Sequence, residues 1–174
     1  MSSSTRDKLY LPVVATQLVG MLTLDLVPFY PSLLWQSPSA PLHPIVSLRK
    51  WWTTHSGDPY FASSTREPWF EAFLYVELLI QLPLTLYLAY KLGSMKPTSG
   101  PTELAGLVYA CLTFMGSTAC AYDIWYMGAD KLRAEHKPQL FWGTYLPFAV
   151  IPALMAVDMY LRLLARVYDH PKRP

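Results

Sequence analysis

An all-α fold, a four-transmembrane-helix bundle with short interfacial helical elements in its first loop, is what the sequence predicts, on three observations. Hydrophobic residues make up 52% of the 174 and charged residues only 15%, where an ordinary soluble domain is about a quarter charged. The apolar residues gather into four blocks, at about 9–30, 69–92, 102–125 and 140–164. Each is close to the roughly 20 residues needed to cross a hydrocarbon core of about 30 Å. Polar joints rich in Pro and Gly separate the blocks, so 9–164 reads as one membrane domain between a polar tail, 1–8, and a second tail, 165–174.

In chain order, the first block runs well past the length of a signal-peptide core and is closed by Pro28 and Pro31. The long connection that follows is polar, aromatic and Pro-rich. Within it Leu42 to His55 predicts a short interfacial helix with Trp51 and Trp52 at headgroup level. Asp58-Pro59 marks a turn before the second span, and GSMKPTSGP a turn after it. Thr102 predicts an N-cap for the third span, with Glu103 in its first turn. That span carries Tyr109, Thr113, Gly116, Ser117 and Thr118, small and hydroxylated residues that let helices approach closely. Pro147 and Pro152 lie inside the fourth.

Four spans place both ends of the chain on one face. That face holds Arg6, Lys8, Lys91, Lys96, Arg162, Arg166, Lys172 and Arg173, against Arg49, Lys50, Arg66, Lys131, Arg133 and Lys137 opposite. The bias favours cytosolic termini. A net charge of +2, with its cations dispersed, excludes a nucleic-acid footprint. Cys111 and Cys120, nine residues apart on one helix, cannot pair within it. There is no HExxH, CxxC or phosphate-cradling glycine loop, and His43, His55, His136 and His170 all fall in loops or the tail. Metal, cofactor and nucleotide chemistry are therefore not expected.

The residues that ask for chemistry are acids inside the spans. Glu77 and Gln81, four apart, share a helix face. A carboxylate in hydrocarbon costs about 2.5 kcal/mol or more on insertion scales and normally faces a protein interior. Asp25 sits near the end of the first span and Glu77 near the start of the second, so an antiparallel pair brings them to similar depths, roughly 8 and 12 Å from one face. Two such acids in hydrogen-bonding contact cannot both ionise cheaply and would share a proton. One negative charge in an apolar pocket suits a lipophilic cation or a proton transfer; the alternative is a polar lock within the bundle. Tyr109, Thr113, Tyr145 and Gln81 are the polar groups expected around it. Pro83, Pro147 and Pro152 are expected to kink their helices, Asp58 to cap a helix or bond loop aromatics, and Asp123 and Asp158 to reach water at span ends.

On LTLDL with Asp25, LRKWW followed by GDP with Asp58, PWFEAFLYVELLIQLP with Glu77 and Gln81, and YLPFAVIP, the sequence resembles the sigma-2 receptor family. These are small four-span proteins of the endoplasmic reticulum membrane that share the EXPERA domain with emopamil-binding protein. The resemblance implies a homodimer whose intramembrane pocket binds sterols and cationic amphiphilic amines, with a link to sterol trafficking through a lysosomal sterol transporter. It implies that Asp25 pairs with a ligand amine, that Glu77 is its protonated, hydrogen-bonded neighbour, and that Asp58 is a structural acid. Gln81, Trp52, Thr113 and Tyr145 would line or close the cavity. The tail, HPKRP, departs from a lysine-rich retrieval signal, and the third span matches least. Two other readings stand beside the receptor: a sterol double-bond isomerase using the acid pair, and a protein that escorts or regulates other membrane proteins. The isomerases resemble one another in a His four residues before the second-span acid, where this chain has Phe73.

Overall fold

The computed structural model describes residues 3–62, 67–94 and 96–169, and among them every regular element is helical. The tail motif from His170, and Arg66 of the charge count, lie outside the described residues. The first helix, α1 (Ser3–Gly20), continues through a π-helical turn at Met21–Asp25 into two 3-10 turns, Val27–Phe29 and Ser32–Leu34. The first connection holds α2 (His43–Ser56) and the one-turn α3 (Pro59–Ala62). The second block is a continuous rod of α4 (Pro68–Val76), a π-helical turn at Glu77–Gln81, and α5 (Leu82–Gly93). After α6 (Gly100–Tyr126), a last rod joins α7 (Lys137–Leu140), a third π-helical turn at Phe141–Tyr145, and α8 (Leu146–Asp169).

Three rods, Pro68–Gly93, Gly100–Tyr126 and Lys137–Tyr168, are long and apolar enough to cross a membrane. α1 is not among them. Arg6, Asp7 and Lys8 stand in its first turns, and Gln17 interrupts its apolar run. It nevertheless packs along α5 as the fourth long helix of the bundle, while α6 and α8 form the most extensive pair. Gly106 is the close approach in that pair: a Cβ there would lie 3.3 Å from Met159 Cγ and Sδ and 3.4 Å from Met155 Cε.

Several local expectations shift. Ser99, not Thr102, precedes the first turn of α6; Thr102 lies inside it, within hydrogen-bonding distance of Tyr87 Oη (3.1 Å) and Ser99 Oγ (3.2 Å). Trp51 is 54% exposed, but its neighbour Trp52 turns inward and donates from Nε1 to Asp58 Oδ2 at 3.2 Å. The two indoles sit about 100° apart on α2, so they cannot share an environment. α2 ends at Gly57, whose φ of 66° and N–H bond to the Thr53 carbonyl (3.0 Å) make a left-handed cap.

Among the described residues, apolar side chains form two separate cores. One, from Val14, Leu88, Leu92, Tyr109, Ala110, Met155 and Met159, lies toward the end of the bundle that holds the start of α1 and the end of α8. The other, from Tyr60, Phe70, Leu74, Cys120, Ile124, Leu132 and Leu140, lies toward α3 and the loop after α6. The middle of α4–α5, α6 and α7–α8 falls between them, and there the helices do not close on one another.

Candidate functional site

Each of the three π-helical turns stands just before a proline. Pro28, Pro83 and Pro147 have no N–H for the carbonyls of Leu24, Leu79 and Gly143 four residues back, and their rings push against them. The backbone relieves this by widening. The N–H of Leu26 reaches the Met21 carbonyl at 2.9 Å, that of Leu82 reaches Glu77, and that of Leu146 reaches Phe141, each five residues back. The widened turns carry Asp25, Glu77 with Gln81, and Tyr145, so the local accommodation of three prolines aims four polar side chains at one space.

That space is a cavity of about 500 Å³, within the range of small-molecule sites. Of the eight residues expected there from the sequence, seven line it, Asp25, Trp52, Asp58, Glu77, Gln81, Thr113 and Tyr145, and Tyr109 does not. Much of the remaining wall is apolar, including Leu24, Phe73, Leu74, Leu112 and Phe148, and Gly116 leaves room opposite Phe73.

The acids differ in their bonding. Asp58 is 1% exposed and accepts three hydrogen bonds, from Trp52 Nε1 (3.2 Å), Tyr145 Oη (2.9 Å) and the Tyr60 N–H (3.1 Å). Burial pushes its carboxyl above the ordinary aspartate value, while these hydrogen bonds act in the opposite direction. Glu77 Oε1 accepts from Gln17 Nε2 at 3.2 Å. Asp25 lies within electrostatic reach of Asp58, Glu77 and Arg49, and receives no hydrogen bond from the described residues. Asp25, Asp58 and Glu77 thus line one cavity, and Gln17 on α1 donates to Glu77. Asp25 and Glu77 are only partly buried, and both face the cavity. Gln81 donates from Nε2 to Thr113 Oγ1 at 2.9 Å, tying α4–α5 to α6 at the cavity wall.

Tyr109 departs from expectation. It lies fully buried in the first core, outside the cavity wall, with its hydroxyl near Thr113 but without a well-aligned hydrogen bond. Gln17 is a functional candidate that polarity alone does not single out; its signal is its place about two helical turns before Asp25.

A second polar cluster, outside the cavity, joins the start of α1 and of α6 to the end of α8. Arg162 donates to Asp7 Oδ1 and Asp158 Oδ2, each at 2.5 Å, and Arg166 holds both carboxylate oxygens of Glu103 at 2.5 and 2.9 Å. Arg6 also pairs with Asp158. Asp158, expected to reach water at a span end, is instead bound by two arginines.

A family model described as EXPERA, the expanded EBP superfamily, matches residues 44–159. The chain belongs to the EXPERA family. The matched stretch runs from α2 into α8 and contains Trp52, Asp58, Glu77, Gln81, Thr113 and Tyr145; Gln17 and Asp25, both on the first rod, lie before it. No curated protein matches the chain.

Proposed function

We propose that this EXPERA protein is a four-span, receptor-like binder of sterols and cationic amphiphilic amines, with α1 as the fourth span and both termini cytosolic. The observation that carries the reading is the single cavity wall shared by Asp25, Glu77 and a largely apolar lining. Asp25, the cavity acid that receives no hydrogen bond among the described residues, is the counter-charge for a ligand amine. Glu77, held by Gln17, is its proton-sharing neighbour, and Asp58 keeps the wall in place. A sterol body fits the apolar remainder. The superfamily match supports lipid or sterol contact, and the resemblance extends the reading to the endoplasmic reticulum membrane, a homodimer and a role in sterol homeostasis beside a sterol-transport protein. A sterol isomerase, the competing reading, would need a proton carrier where Phe73 lines the cavity.

The test is equilibrium binding of a labelled cationic amphiphile to the purified protein. Asp25→Asn is expected to weaken binding about 30-fold or more, the loss of one buried charge-assisted contact. Glu77→Gln is expected to weaken it less. Wild-type affinity for an amine protonated throughout should fall as acid protonates Asp25. Equal affinities for wild type and Asp25→Asn would remove Asp25 as the counter-charge. A wild type that binds no amine but shifts a sterol double bond would make the chain an isomerase.

A further inference from the structure

Beside the inner cavity lies a second, outer pocket of about 770 Å³, lined by residues of α3, α4, the end of α6 and the following loop. Successive residues across α3 face different spaces: Asp58 and Phe61 line the inner cavity, whereas Pro59, Tyr60 and Ala62 line the outer pocket. Phe70 lines both. The wall between the two spaces is thus one turn of helix and one phenyl ring.

Tyr60, 6% exposed, anchors the wall to its neighbours. Tyr60 stacks on Phe70 with ring centroids 4.5 Å apart, meets Tyr145 edge-on at 5.8 Å, and donates its hydroxyl to Asp123 Oδ2 at 2.7 Å. On the chain side it hangs from Gly57, whose positive φ is a backbone conformation open to glycine and strained for other residues. The outer pocket itself matches an organic cation with an apolar body. Trp69, Tyr60, Phe70 and Tyr126 supply aromatic surface, and among the described lining residues Glu67, Asp123 and Asp130 outnumber Lys131, which pairs with Glu67 at 3.0 Å.

We propose that the outer pocket is an antechamber in which an amphiphilic ammonium ligand docks before it passes α3 and Phe70 into the inner cavity. This rests on the binding function proposed above. α3 swings about Gly57 when the Tyr60–Asp123 bond opens, and the ligand's cationic end passes from the outer acids to Asp25.

Stopped-flow mixing of the full chain in lipid nanodiscs with a fluorescent tertiary amine bearing a sterol-sized body tests it. Tyr60→Phe removes the Asp123 bond and keeps the ring; association and dissociation are expected to speed up by the same factor, about threefold or more, with Kd unchanged, because a partition sets rates and not the end states. Glu67→Gln with Asp130→Asn is expected to slow association about threefold or more at low salt, with the difference vanishing at high salt, the mark of lost steering. Thermal melts check that each variant is folded. Wild-type rates in Tyr60→Phe together with unchanged, salt-insensitive association in the charge variant would overturn the antechamber and leave the ligand to arrive through the bilayer. A wild type that binds no amine overturns the function on which it rests, and the antechamber with it.

Discussion

Asp58 accepts from Trp52 of α2, from the first N–H of α3 and from Tyr145 of the third π-helical turn, so one carboxyl joins three elements at the cavity wall. Removing it strands buried donors, each costing about 1–3 kcal/mol if left unmet. Asp58→Ala is therefore expected to lose about 3 kcal/mol of stability, and Asp58→Asn less, since its amide oxygen still accepts. The same residue gives a pH signature. Because burial raises its folded-state value above that of the unfolded chain, the native state holds its proton more tightly. The stability this contributes is complete below the ordinary aspartate value and is lost as pH rises through the raised one. Melting temperature followed against pH should show wild type gaining on Asp58→Asn as the solution is acidified; parallel curves would mean that the three donors, and not burial, decide its charge.

At the scale of elements, the π-helical turns make the cavity. A regular α-helix advances about 100° per residue, so adding or removing one residue's worth of turn re-aims whatever lies beyond it. Pro147→Ala supplies an N–H for the Gly143 carbonyl and is expected to close the third turn into plain α-helix, taking Tyr145 away from Asp58. Melting temperature should hold or rise while amine affinity falls about tenfold, measured by thermal unfolding and equilibrium binding; unchanged affinity would show that the turn is incidental. This is also where the sequence was partly opaque. The prolines and acids could be read directly, and the depth of Asp25 against Glu77 followed from helix rise. What could not be read was how each helix would relieve its proline, by a kink, a break or a widened turn, because five residues of apolar pattern fit all three. Hence Gln81 is legible from its place four residues after Glu77 and Tyr145 from its polarity, while Gln17, on the facing helix, carries no such mark. Trp51 and Trp52 illustrate the same limit, since adjacent identical residues carry no pattern that separates an outward face from an inward one.

At the scale of the molecule, the two cores hold the ends of the bundle and the ion-pair cluster ties α1 to α8. That tie matters because, among the described residues, α1 is long but is not counted with the three rods apolar enough to cross a membrane, and the first rod carries Gln17 and Asp25. The cluster was hidden in the sequence: an acid or arginine at a helix end ordinarily reaches water, and the partners here are as far apart in sequence as Asp7 and Arg162. Arg162 is 9% exposed and Asp7 4%, so breaking the pair leaves a carboxylate buried without its cation, at about 3–5 kcal/mol. Arg162→Met is expected to lower stability by that amount and to weaken amine binding, since the start of α1 is no longer anchored and Asp25 loses its position. Adding Asp7→Leu removes the stranded charge while Arg6 and Tyr10 still serve Asp158; replacing a buried pair by apolar groups is often neutral or stabilising. The double variant should therefore recover most of the melting temperature and, if α1 has returned to its place, most of the affinity. Recovery of stability without affinity would mean that the charges themselves set the position of α1. An Arg162→Met protein that melts like wild type would instead show that apolar packing against α5 is enough to hold the helix.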